Sequence, residues 1–395
     1  MVVMNVATYG YTMLAARIMG PQNYGGFAAM MNLLLVVSVA SLGLQATAAR
    51  RISASPSRVH HIEHEVLRLS WRAALALGGL LLLLSPVINR ALRLDDLPTA
   101  LLVGLSAIPL TIMGGQAGIL QGERRWLELG ILYIASGVPR LLVGTALLLW
   151  RPSEFFGILG VAIGMLIPVL VGWWALRTRA EDPDADLPHE GRSMLRETVH
   201  NTQALFAFFA LSNADIIISR NVLDAHDSGL YASGLILTKA VLFLPQFVVV
   251  VAFPAMSTAS QRRRALTRSL GAVALLGLVA TLASYFLSSL AMVFVGGEKF
   301  AEIESRLWLF AILGTAMSML QLLVYSVLAR QGMSTIWFVW LALATMITAA
   351  LLVDTLVGLL AVVLVVDCTL LVVLLAISFY LLKRPAPVDA DVPTP

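Results

Sequence analysis

The sequence predicts an all-α integral membrane protein of about twelve transmembrane helices in two six-helix halves, and three observations carry that prediction. Of its 395 residues 59% are hydrophobic and only 13% are charged, and the mean hydropathy is +0.86, which excludes a soluble globule. Apolar runs recur at about 18 to 25 residues, enough to cross roughly 30 Å of hydrocarbon as a helix, whereas an outer-membrane barrel alternates in segments of about ten. The loops between the runs separate by charge. Seventeen Lys and Arg, among them Arg50, Arg51, Arg124, Arg125 and Arg262, fall in one set of loops, and six, among them Arg90, Arg93 and Lys299, fall in the other. This positive-inside bias puts both termini in the cytoplasm, and an even span count agrees in putting them on one side. It also accounts for the net charge of +4 without nucleic acid.

The first run, 1–19, has no basic residue before it, so it lacks a signal peptide's n-region and is expected to be a retained helix. The run at 27–48 ends at Arg50 and Arg51, and the run at 69–88 follows Arg58 and Arg68. Within that basic break, HHIEHE at 60–65 puts His61 and Glu65 on one helical face, but an interfacial helix explains it better than a metal site. Runs at 98–120, 129–149 and 156–176 are separated by Arg124 with Arg125 and by Arg151 with Glu154. The second half repeats the pattern at 199–219, 230–254, 269–295, 307–329, 335–353 and 356–382. Pro109, Pro168, Pro245 and Pro254 are candidate bending points. Gly114, Gly115 and Gly118 provide small residues for close helix contact. QRRR at 261–264 reads as a topology anchor that also meets anionic lipid. Cys368, the one cysteine, excludes an intramolecular disulfide and a cysteine-based zinc site.

The most polar connector, RTRAEDPDADLPHEGRSMLRE at 177–197, reads as a flexible cytoplasmic linker. It divides the chain into an N-terminal half at 1–176 and a C-terminal half at 198–382, leaving a tail at 383–395. Each half has an even number of spans, so the two have the same orientation and are expected to be parallel repeats. An internal echo agrees: ARIMGPQNYGGFAAMM after the first span resembles SRNVLDAHDSGLYASG after the seventh. Arg17 and Arg220 then occupy equivalent helix ends, and Gly25 and Gly229 open the following helices. Gln121-Gly122 and Gln331-Gly332 form a second echo.

Charges inside or at the edge of spans are the functional candidates. A central Asp or Lys costs about 2.5 to 3.5 kcal/mol to insert and is offset by many apolar neighbours, so such groups usually face a bundle interior. Lys239 falls about 15 Å into its span, near the midplane. It is either a substrate contact or the structural partner of Asp215. Asp215 lies nearer the outer face, and its alternative role is to hold Lys239 or Arg220 in place. Arg140 follows Pro139 near mid-span, where a kink could free carbonyls for it. Asp367 reads as a helix-packing partner. The first half places no Asp or Glu inside a span, since Glu63, Glu65, Asp95, Asp96, Glu123, Glu128 and Glu154 fall in loops or at ends. No nucleotide-binding loop, catalytic triad or carboxylate pair is present, so the chain is not read as an enzyme and no cofactor is expected.

LAARIMGPQNYGGFAAMMNLL at 14–34, LGLQATAARR at 42–51, GILQGERRW at 118–126, PRLLVG at 139–144 and the stretch from NADIIISR to AFPAMS at 213–257 resemble Wzx-type flippases. These belong to the multidrug/oligosaccharidyl-lipid/polysaccharide (MOP) exporter superfamily. The resemblance implies two six-helix lobes around a central cavity that opens alternately to each side. It also implies translocation of a polyprenyl-diphosphate-linked oligosaccharide across the bacterial inner membrane for polysaccharide biosynthesis. It gives Arg17 a cavity role beside Lys239, with Arg140, Asp215 and Arg220 completing the expected substrate-binding set. The chain lacks the thirteenth and fourteenth helices of the lipid II flippase branch. Expected partners are the lipid-linked substrate, the bilayer and polysaccharide-assembly glycosyltransferases or a polymerase, with the chain itself a monomer. Two alternatives stay open: a multidrug or cation antiporter, for which Asp215 and Asp367 are the available acids, and a membrane polymerase or glycosyltransferase, which would need a larger outer loop than any here.

Overall fold

The computed structural model describes residues 2–54, 58–177, 191–243, 262–328 and 336–383. Among them are thirteen α-helices and no strand. In chain order they are α1 (Val2–Ala54), α2 (Val59–Leu83), α3 (Ser85–Leu92), α4 (Leu97–Gly122), α5 (Trp126–Trp150), α6 (Glu154–Leu176) and α7 (Gly191–Val222). There follow α8 (Ala225–Phe243), α9 (Arg262–Phe286), α10 (Ser288–Val295), α11 (Leu307–Leu328), α12 (Ile336–Ala350) and α13 (Leu356–Lys383). A 3-10 stretch, Glu298–Arg306, precedes α11 and buries Phe300 and Ile303.

Among the described residues nine helices are long and apolar enough to cross a membrane, against the twelve spans expected. The 53-residue α1 contributes two legs. In a straight helix Tyr11 and Phe27 would be about 24 Å apart, yet their rings meet edge to face at 5.7 Å. The chain doubles back at Gly20, whose φ of 72° favours glycine, and Pro21 starts the second leg. The remaining prolines expected to bend helices and lying among the described residues, Pro109 and Pro168, sit inside continuous helices. Pro245, Pro254, Gln331, Gly332 and Gln261 lie outside the described residues.

Two boundaries differ from expectation. HHIEHE is not a separate interfacial helix: it forms the first turns of α2, continuous with the apolar run, with His61 3.9 Å from Glu65. The expected linker also runs too far, because α7 already begins at Gly191. One pattern was not foreseen. A 25-residue helix, a one-residue break and an eight-residue helix occur as α2 with α3 and again as α9 with α10.

Close packing follows the glycines. A Cβ at Gly118 would lie 2.6 Å from the Gln45 carbonyl oxygen, and one at Gly164 would lie 2.6 Å from the Arg140 Cα, so α1 meets α4, and α5 meets α6, at backbone distance. Side chains complete these seams. The Tyr11 hydroxyl donates to the Gly157 carbonyl at 2.6 Å, and Gln45 donates to Gln121 at 2.8 Å and to the Tyr133 hydroxyl at 2.7 Å. The α1 hairpin also packs on α7 and α8, which joins the two halves of the chain.

Candidate functional site

Three elements of the second half bring polar side chains into an apolar interior. Asp215 on α7 and Asp367 on α13 are both 0% exposed, whereas Lys239 on α8 keeps some accessible surface. The Asp215 carboxylate accepts from the Tyr231 hydroxyl at 2.8 Å and from the Ile216 amide at 2.9 Å. Lys239 does not bond to it. Its ammonium donates instead to the Ser212 carbonyl at 2.7 Å and to Asn213 Oδ1 at 2.9 Å. Asn213 is held in turn by its own donations to the Phe209 carbonyl and the Ser212 hydroxyl. Asp367 is close enough to interact electrostatically with both Asp215 and Lys239, but neither of its oxygens has a hydrogen-bond partner among the described residues. Asp367, expected as a helix-packing partner, is packed in the interior without a hydrogen bond among the described residues.

The first half holds a different arrangement. Arg140 is buried and bonds through its guanidinium to the Thr8 hydroxyl on α1, while its Nε has no acceptor among the described residues. α5 continues through Pro139 as one helix, and the bond the structure gives Arg140 is to the Thr8 hydroxyl rather than to a carbonyl freed by the proline. Arg140 and Lys239 thus share one property: the hydrogen bonds each makes go to neutral acceptors rather than to a carboxylate. A buried cation held this way still has charge to offer an anion.

Arg17 and Arg220 are placed elsewhere, at one end of the bundle. Arg17 bonds to the Val293 carbonyl of α10. Arg220 is buried and donates to the Leu92 carbonyl at 2.7 Å and to the Arg93 carbonyl at 2.6 Å, and it lies 3.7 Å from Glu154. Asp215 does not position Arg220. The structure brings Asp215 and Lys239 into one neighbourhood and leaves Arg140, Arg17 and Arg220 outside it. Glu154, read as an end residue, is the first residue of α6 and is only 3% exposed, tucked against Gly26. The sequence signal for it was the Gly25-Gly26 pair, which leaves room for a carboxylate. Asn213, Tyr231 and Thr8 gave no comparable signal, since uncharged polar residues are ordinary in membrane helices.

Residues 1–260 match the profile of the family described as Polysaccharide biosynthesis protein. No curated protein sequence matches the chain. Several solved structures share its fold. An inward-facing multidrug resistance MATE family transporter of the MOP superfamily aligns over 97% of this chain and 94% of its own, with 11% identity and a TM-score of 0.73. An outward-facing MATE structure aligns over 97% and 95%, with 12% identity and a TM-score of 0.64. The lipid II flippase MurJ, in an inward closed conformation, aligns over 96% and 88%, with 14% identity and a TM-score of 0.69.

Proposed function

We propose, because the chain belongs to the polysaccharide biosynthesis protein family, that it is a flippase carrying a polyprenyl-diphosphate-linked oligosaccharide from the cytoplasmic to the outer leaflet of the bacterial inner membrane. The observation that carries this reading is the pair of interior cations, Lys239 and Arg140, held by neutral acceptors in different halves of the chain. A diphosphate crossing hydrocarbon needs such charge, because an unpaired ion there is expensive. Lys239, which keeps accessible surface, is the group a ligand reaches first. The sugar passes through the cavity between two lobes, residues 1–176 and 198–382, while the lipid tail stays in the bilayer. Both termini are cytoplasmic, so the Arg17 end faces outward.

The test is genetic and chemical. Cells lacking the chain should accumulate the lipid-linked oligosaccharide inside and lose surface polysaccharide, with both restored by the wild-type chain but not by Lys239→Ala at equal membrane abundance. Unchanged surface polysaccharide in the deletion would reject the reading.

One observation favours a second reading. Asp367, fully buried with neither oxygen hydrogen-bonded among the described residues, lies within electrostatic reach of Asp215 and Lys239, and buried acids of this kind serve cation- or proton-coupled antiport. Under that reading the second half is an ion-coupling centre, and a cationic small molecule is the cargo.

A further inference from the structure

Arg17 and Arg220, paired by the sequence echo, make the same contact in opposite directions. Arg17, at the end of the first leg of α1, reaches across to the second half and bonds to the Val293 carbonyl in the last turn of α10. Arg220, near the end of α7, reaches across to the first half and bonds to the Leu92 and Arg93 carbonyls that end α3. Both exchanges are returned. Arg93, the residue after α3, donates to the Asn221 carbonyl at 2.8 Å, and Lys299, in the 3-10 stretch that follows α10, donates to the Ile18 carbonyl at 3.4 Å. In each case the returned bond lands on the residue that follows the arginine.

The chemistry explains why the device uses these groups. The last carbonyls of a helix lack intrahelical partners and carry the negative end of its dipole, and a guanidinium can satisfy one of them, as Arg17 does, or two at once, as Arg220 does. The short helices α3 and α10 bring such ends to the boundary between the halves. Between the two exchanges the backbones touch: a Cβ at Gly25 would lie 3.2 Å from the Gly229 nitrogen, and one at Gly229 would lie 2.8 Å from the Pro21 Cα. The two sides are unequal. Arg220 has Glu154 3.7 Å away, while Arg17 has no carboxylate partner among the described residues and leaves its Nε buried without an acceptor.

We propose that these two arginine–carbonyl exchanges form a reciprocal lock that holds this end of the bundle shut, that both must part before it opens, and that the Arg17 side parts first. This assigns Arg17 and Arg220 to the gate rather than to the ligand, and it holds whatever the transported substrate is.

The test measures conformation without substrate. Spin labels at Arg151→Cys, beside the Asn23–Pro152 contact, and at Ala225→Cys, both exposed, report the distance between the halves at this end. The measurement uses the full chain in nanodiscs in a Cys368→Ala background. The parent should show one short distance. Arg17→Ala or Arg220→Ala should raise the ratio of long to short distances by roughly tenfold, Arg220→Ala more, and the double variant by about a hundredfold if the sides act independently. Should the double alanine variant not fold, Arg17→Lys with Arg220→Lys replaces it, and a smaller shift in the same direction is expected, because lysine keeps charge but loses the fork. An unchanged distance distribution in whichever double variant folds would overturn the lock.

Discussion

Replacing Lys239 by methionine separates a ligand contact from a structural one. The ammonium makes two charge-assisted hydrogen bonds, at 2.7 and 2.9 Å. The Ser212 carbonyl lies within α7, so losing Lys239 does not orphan it. Asn213 Oδ1 does lose its donor, and a buried acceptor without one costs about 1 to 3 kcal/mol. With the lost bonds themselves, Lys239→Met should destabilise by about 2 to 5 kcal/mol, less what the apolar methionine stem returns. Against a typical total of roughly 5 to 15 kcal/mol the variant should fold at reduced abundance. Adding Asn213→Leu removes the orphaned acceptor and should recover about 1 to 3 kcal/mol of the loss, less what the Asn213 donations to the Phe209 carbonyl and the Ser212 hydroxyl contribute. The assay is surface polysaccharide per unit of membrane protein, with thermal unfolding of the purified variants in parallel. If Lys239 meets the diphosphate, the double variant regains abundance while export stays at least tenfold down, and Lys239→Arg keeps partial function. Wild-type export by the Lys239→Met, Asn213→Leu double variant would refute the reasoning.

Other expectations follow from the same geometry. Arg140→Met should lower export while leaving folding intact, because the apolar side chain removes an unsatisfied buried Nε; a fall in abundance with normal export per molecule would point to a purely structural arginine. Asp367→Asn should leave export within a few-fold of wild type and leave its sodium and pH dependence unchanged, whereas abolished export with lost ion dependence would favour the antiport reading. Gly164→Leu should destabilise by at least about 1 to 3 kcal/mol by forcing α5 off α6, to be read as a lower unfolding temperature. In a Cys368→Ala background, cysteines at Ser193 and Gln261 should label only from the cytoplasm and one at Asp95 only from outside; outside labelling at Ser193 would break the parallel-repeat arrangement.

Apolar run length and charged breaks located most helices within a few residues, because a bilayer-length helix leaves little freedom in register: α11 starts at Leu307 and α13 at Leu356, as read. The break at Leu84 was hidden because the run stays apolar through it, and the Pro86 that opens α3 could as well have sat inside a helix. The neighbourhood of Asp215 and Lys239 was readable because charges in consecutive apolar spans have few places to go. The partners of Arg17 and Arg220 were not, because they are backbone carbonyls at helix ends far along the chain, and no residue type marks a carbonyl. The burial of Glu154 depended on a glycine more than a hundred residues earlier.

The most direct measurement reconstitutes the purified chain in liposomes carrying a fluorescent polyprenyl-diphosphate oligosaccharide and follows the fraction of label that becomes accessible to a membrane-impermeant quencher. The account predicts faster movement of this lipid between leaflets than in protein-free liposomes, slowed at least tenfold in Lys239→Met liposomes of equal protein content. Movement no faster than in protein-free liposomes, with uptake of a cationic dye driven by a sodium or proton gradient in the same vesicles, would contradict it.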